Sequence, residues 1–162
     1  MSPGVSGYRA GMTASVTIRR ARRTDVPSIV ALLADDTLGA TREVPGDPAY
    51  LAAFDVLDAD PHQLLVVADL AGEIVGTLQL TFLAGLSRRG AIRAQIEAVR
   101  VRSDQRGGGL GGTLVRWAVD TARERGAALV QLTSDASRTD AHRFYERLGF
   151  VRSHVGMKLP LR

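Results

Sequence analysis

Cysteine is absent from this chain, which excludes disulfides, thiolate metal sites and a cysteine nucleophile, and suits a reducing compartment. A cytoplasmic protein is the expectation. The three histidines show no metal-ligand spacing, so no metal is expected. Aromatic residues are only 5% and the basic residues are scattered, which argues against a stacking platform for nucleic acid and favours a phosphorylated small molecule. No apolar run is long enough to cross a bilayer, and the opening residues MSPGVSGYRAGMTA lack a signal-peptide core, so no membrane partner is expected. Residues 1–14 read as a flexible N-terminal tail, with Met12 open as an alternative start, and residues 15–162 as a single domain. A chain of 162 residues buries roughly 68–70% of its unfolded surface and supports one core without staples.

Charge is unevenly placed. From Asp35 to Asp60 there are seven acids and one base, Arg42, so the segment carries −6 and the remainder +10. Two opposite surfaces are expected.

Apolar spacing predicts a strand over Val16–Arg20, then a helix opened by Thr24-Asp25 and Pro27 with Val26, Ile29, Val30 and Leu33 inward. Asp47-Pro48 starts a second helix carrying Tyr50, Leu51, Phe54 and Leu57, which must stop before Pro61. Residues 63–69 and 74–83 read as a hairpin in which Leu78, Leu80 and Phe82 alternate with Thr77, Gln79 and Thr81. A further strand runs from Ala91 to about Val101. After a glycine loop come a helix over Leu110–Arg125 with Leu114, Trp117, Ala118 and Thr121 inward, and a strand over Ala127–Thr133. A last helix, capped by Thr139 or Asp140, ends at Gly149, and closing strands follow over Val151–Leu159. The order βααβββαβαβ defines an α/β chain with a mixed sheet.

The strand from Ala91 changes phase. Ile92, Ala94, Ile96 and Ala98 are apolar at even positions, whereas Val99 and Val101 move the pattern to odd ones. Unless both faces are buried there, a β-bulge near residues 97–100 is required, splaying the strand and leaving backbone groups unpaired.

The loop QRGGGLGG, residues 105–112, fits two phosphate-binding patterns. Gly107, Gly109 and Gly112 satisfy G-x-G-x-x-G, with Asp135 23 residues further on, as in dinucleotide-binding units. Too few residues follow, however, to complete such a domain. The alternative, Arg106-x-x-Gly109-x-Gly111, lets backbone amides and a helix N-terminus approach a pyrophosphate.

The run IEAVRVRSDQRGGGLGGTLVRWAVDTARERG, with LTSD and AHRFYERLGF after it, resembles the GNAT superfamily of acetyl-coenzyme A-dependent N-acetyltransferases. The resemblance spans about residues 16–160 and is strongest from Ile96 to Phe150. It implies a strongly twisted mixed sheet splayed between the fourth and fifth of the strands listed above, with acetyl-CoA as cosubstrate in the opening. It further implies that Arg106, Gly107, Gly108, Gly109, Leu110, Gly111 and Gly112 hold the pyrophosphate. Val99, Arg100 and Val101 would run along the pantetheine arm, with a bulge amide near Val99 facing the thioester carbonyl. Arg138 and Phe144 complete the implied cofactor contacts, although Arg138 stands where many members have asparagine. A homodimer is common in such proteins.

An amine attacking a thioester needs a base, an oxyanion donor and an acid for the departing thiolate. Glu97, polar on an apolar strand beside the inferred bulge, is the candidate base, or else a solvated strand charge. Tyr145 is the candidate acid, or else a core tyrosine within Ala141, Phe144, Tyr145 and Leu148. A phenol with a pKa near 10 is protonated at neutral pH. His142 and His154 build no triad with Ser134 or Asp135, because no G-x-S-x-G elbow exists. The function expected is acetyl transfer from acetyl-CoA to a primary amine. The acidic segment suggests that the acceptor is a cationic small molecule. A non-catalytic acyl-CoA sensor and a nucleotide-dependent oxidoreductase are the alternatives.

Overall fold

The computed structural model describes residues 8–10 and 14–161. The chain divides into two compact units, one ending at Gln131 and the other beginning at Leu132. Of the expected tail, Tyr8–Ala10 forms strand β1, paired antiparallel with β2, Ala14–Arg20. Residues 1–7 and 11–13, Met12 included, lie outside the described residues.

Among the described residues the sheet has six strands in sequential order: β1, β2, β3 (Gln63–Leu70), β4 (Glu73–Leu83), β5 (Arg93–Val101) and β6 (Leu129–Leu132). The first five pair antiparallel. β6 runs alongside β5 in the same direction, since the Ala128 amide bonds the Ile92 carbonyl and Gln131 lies opposite Gln95, three residues on in both. The sheet is therefore mixed.

Alternation assigns its two faces. Even-numbered β4 and β5 residues Leu78, Leu80, Phe82, Ala94 and Ile96 are buried, as are Leu110, Leu114, Val115, Ala118 and Ala122 of helix α4, Leu110–Glu124. A Cβ at Gly76 would meet Leu114 Cδ1 at 3.1 Å and the Arg100 carbonyl at 3.2 Å, so glycine is what lets α4 lie this close to the sheet. The expected inward face of α4 needs a correction: Val115 and Ala122 are buried, whereas Trp117 and Thr121 are only partly so. The buried stripe runs through Leu110, Leu114, Val115, Ala118 and Ala122, and Trp117 lies at its border.

On the other face, helix α1 (Val26–Ala34) and helix α2 (Ala49–Ala59) build a core from Val26, Ile29, Val30 and Phe54 with Ala21 and Val67, against which Leu33, Tyr50, Leu51 and Leu65 pack. Helix α1 starts with Pro27 in its first turn, where the missing N–H has no intrahelical partner to lose. The Asp47 carboxylate accepts the Ala49 amide at 2.8 Å at the start of α2. The GLSRRG connection contains a single turn, α3 (Ser87–Gly90), in which Arg88 and Arg89 adopt left-handed φ values of 54° and 62°.

In the second unit, helix α5 (Thr139–Arg147) is capped by Arg138, not by Thr139 or Asp140. The turn before it is shaped by Asp135, whose carboxylate accepts the Ser137 amide at 2.9 Å and the Ser137 hydroxyl at 2.6 Å. Tyr145 makes edge contacts with Phe144 and Phe150, at centroid distances of 5.0 and 5.8 Å. The closing strands expected over Val151–Leu159 are not formed. The segment is irregular, and Val151, Val155, Met157 and Leu159 are exposed. Its alternating composition suits a strand, but strands exist only as pairs, and no pairing with it occurs among the described residues.

Candidate active site

The phase change in β5 is a bulge. Thr77 pairs with Arg100 and Gln79 with Glu97, so Leu78 alone on β4 opposes Ala98 and Val99 on β5. Ala98 takes a left-handed φ of 52°, a conformation that costs an L-residue about 1–2 kcal/mol. Glu97 and Ala98 are exposed, so the alternative of two buried faces does not apply.

Beyond the bulge the Arg102 amide bonds the Val75 carbonyl at 2.9 Å. Antiparallel ladders alternate, so Arg100 and Arg102 turn their backbone groups to β4, and Val99 and Val101 turn theirs to the opposite edge. β6 ends at Leu132, only four residues past the Ala128 to Ile92 bond, whereas β5 continues to Val101. The expected splay therefore corresponds to the β5 edge at residues 97–101, past the end of its neighbour.

The glycine loop follows that edge. Gly107 and Gly109 have left-handed φ values of 80° and 87°, and Gly109 caps α4. The first amides of a helix lack intrahelical acceptors and concentrate the positive end of its dipole, so the loop presents donors to an anion. A Cβ at Gly107 would meet nothing within 4 Å, which leaves open space at the loop. Arg106 turns its side chain away from this role: Nε donates to the Val101 carbonyl at 2.9 Å, and Nη2 to the Asp35 carbonyl and carboxylate at 2.7 and 3.1 Å. Its neighbour in space along β5, Arg100, donates to the Val99 carbonyl at 2.9 Å and to the Asp36 carboxylate at 3.3 Å. Two adjacent acids at the end of α1 thus strap both carbonyls of the open edge through arginines.

These straps account for part of the charge asymmetry. Asp35, Asp36, Asp55 and Asp58 pair with Arg106, Arg100, Arg23 and Arg20, and Glu43 pairs with Arg42. The Arg42 guanidinium holds the Glu43 carboxyl below the usual carboxylate range, and the Tyr50 hydroxyl, donating at 2.9 Å, adds to this.

Glu97 belongs to a polar row on the α1/α2 face. Gln131 donates to Gln95 at 2.9 Å, and Gln95 donates to one Glu97 oxygen at 3.1 Å. Gln79, opposite Glu97 in register, donates to Gln63 at 3.0 Å, and Thr81 donates to the same oxygen at 2.8 Å. Beside this row lies a cavity of about 110 Å³ between α1, α2 and the sheet, with Thr77, Gln79 and Ala98 in its lining.

The first unit thus brings together Glu97, Val99, Arg100, Val101 and the loop from Arg106 to Gly112, whereas Arg138, Phe144 and Tyr145 belong to the second. Asp35, Asp36, Gln79 and Gln95 are not among the site residues expected from sequence. The glutamines carried a signal, as polar residues alternating with apolar ones on neighbouring strands. The two aspartates carried none beyond their sign, because their partners lie 71 and 64 residues away. No group of three or more acids or histidines among the described residues could hold a metal ion, and no described helix is long and apolar enough to cross a membrane.

A strand broken by a bulge, an open edge and a glycine loop capping a helix are features of an acyl-coenzyme A transferase. The chain belongs to the acetyltransferase (GNAT) family, whose model matches residues 27–150. It is 36% identical over 102 residues to an aminoalkylphosphonate N-acetyltransferase of Salmonella typhimurium, covering 63% of this chain and 64% of that protein. It is 31% identical over 153 residues to an L-methionine sulfoximine/L-methionine sulfone acetyltransferase of Pseudomonas aeruginosa, covering 89% of this chain and 87% of that one. Among solved structures, a transcriptional regulator from Bacillus halodurans C-125 superposes with a TM-score of 0.87 at 48% identity, covering 90% of this chain and 99% of its own. The protein is an acetyltransferase enzyme of α/β fold. The family uses acetyl-CoA, and the left-handed glycines, helix amides and open β5 edge fit its diphosphate and pantetheine.

Proposed function

We propose that the protein transfers the acetyl group of acetyl-CoA to the primary amine of a small molecule by direct attack. The observation that carries this reading is the succession, along one edge, of the Ala98–Val99 bulge, the β5 segment past the end of β6 and the loop from Arg106 to Gly112. Acetyl-CoA supplies the activated acyl group. The amides from Gly107 to Gly112 bind its diphosphate, and Val99 and Val101 line its arm, with the Val99 amide as oxyanion donor. Arg138 and Phe144 are further proposed contacts. The two relatives above act on small amino compounds, which supports a small-molecule acceptor. The acidic segment lends less to a cationic one, since five of its seven acids are ion-paired.

In this reading Glu97 takes the proton from the ammonium, through water. The neutral nitrogen bonds to the acyl carbon, the carbon–sulfur bond breaks with its electron pair on sulfur, the Tyr145 hydroxyl gives its proton to that sulfur, and the second proton, lost from the acylated nitrogen, returns through water to the tyrosine oxygen.

A panel of amines, with coenzyme A release and product mass as readouts, tests the activity. Tyr145→Phe keeps the ring contacts and removes only the hydroxyl. With the best amine its kcat falls roughly ten- to a thousandfold while acetyl-CoA affinity is retained. A parent-like kcat would leave Tyr145 a packing residue.

A further inference from the structure

The cavity on the α1/α2 face is half open to solvent and is lined by Val26, Ile29 and Leu33 of α1, Phe54 and Leu57 of α2, and Leu65 of β3. No charged side chain lines it. Of its polar groups, the Thr77 hydroxyl is committed to the Val66 carbonyl at 2.9 Å, the Gln79 amide nitrogen to Gln63 at 3.0 Å, and the Tyr50 hydroxyl to the Glu43 carboxylate at 2.9 Å and the Val44 amide at 3.0 Å. An ionised group placed inside would be unpaired and strongly disfavoured. At about 110 Å³ the cavity is somewhat smaller than the roughly 150 Å³ apolar cavity that admits benzene, so it suits three or four carbons.

Its position fixes what those carbons are attached to. Gln79 and Ala98 line the cavity, Gln79 is the register partner of Glu97, and Ala98 opens the bulge. A molecule with its tail in the cavity therefore leads to the polar row at Glu97, where the amine nitrogen of the proposed reaction must be deprotonated. From this we infer that the acceptor is an amine bearing an uncharged, apolar group of about three or four carbons, which the cavity binds. The inference rests on the acetyltransferase reading given above.

A ladder of n-alkylamines from methyl to hexyl, assayed at saturating acetyl-CoA, tests it. The expected kcat/KM rises about fourfold per methylene up to propyl or butyl and then levels off. Ala53 lines the cavity from an exposed position of α2, so Ala53→Leu narrows the cavity with a good helix former and shifts the optimum to a shorter amine. A flat ladder overturns the inference while leaving the transferase reading intact. So does at least a tenfold preference for 2-aminoethylphosphonate or 4-aminobutyrate over butylamine. A flat amine ladder with rates rising from acetyl- to butyryl-CoA would assign the cavity to the acyl chain instead and equally overturn it. An NMR titration with butylamine and methylamine, without acetyl-CoA, separates the two failures. Preferential butylamine binding at the cavity methyls with no turnover of any amine would support the cavity assignment and contradict the transferase reading; equal binding of both amines would overturn the assignment.

Discussion

Asp25 is where one side chain holds several elements. Its carboxylate accepts two bonds from Arg19, at 2.7 and 3.1 Å, and the Arg22 amide at 2.7 Å, while Arg19 also reaches Asp69 at 3.0 Å. The strand β2, the entry to α1 and the end of β3 are joined at this point. The Arg19 guanidinium, helped by the Arg22 amide, holds the Asp25 carboxyl below the usual carboxylate range against the opposing effect of burial. A depressed folded-state value contributes stability that is present above the unfolded value of about 3.9 and is lost as pH falls through the folded one. Asp25→Asn therefore costs about 2 kcal/mol at neutral pH. Its deficit relative to the parent narrows below about pH 4. Urea melts of both proteins across that range check this, and a deficit independent of pH would place the contribution in packing. The sequence offered Asp25 only as a helix-opening residue, since its role depends on Arg19 and Asp69 meeting across the sheet.

At the scale of the element, β5 is the most legible piece of the chain. A period-2 pattern that slips between Ala98 and Val99 leaves few backbone solutions, and the bulge falls on those two residues. Helix α4 was legible in extent but less so in orientation, because hydrophobicity alone does not tell that Ala122 is buried while the larger Trp117 is only partly so. The closing strands were not legible, since strand composition is local and strand pairing is not. The bulge predicts its own energetics. Ala98→Gly removes a left-handed penalty of about 1–2 kcal/mol and adds a chain-entropy cost of about 0.5–1 kcal/mol, so it leaves the protein equally stable or up to about 1.5 kcal/mol more stable. Elsewhere in a strand the same change destabilises. Chemical denaturation distinguishes the two, and clear destabilisation would mean that the bulge is not strained at this residue.

Across the whole molecule, the loop carried the most specific sequence signal because its chemistry is local: glycines, a strand before and a helix after. What surrounds it is not local. The straps from Asp35 and Asp36, the polar row and the cavity are made by residues from α1 and its end, α2 and four strands, and sequence pattern placed their elements without their meeting. The central claim is that the N-terminus of α4 and its glycines hold the diphosphate of acetyl-CoA. Gly109→Asp puts a carboxylate and a Cβ at that point. Aspartate is favoured at helix N-caps and tolerates left-handed backbone better than most residues, so the fold is expected to survive. Calorimetric titration of acetyl-CoA into parent and variant, with thermal unfolding of each as control, is the most direct measurement. The account predicts binding by the parent, and affinity at least about a hundredfold weaker in a variant that still unfolds cooperatively near the parent temperature, as expected when anion donors are replaced by an unpaired like charge. Parent-like affinity in a folded Gly109→Asp protein would contradict it.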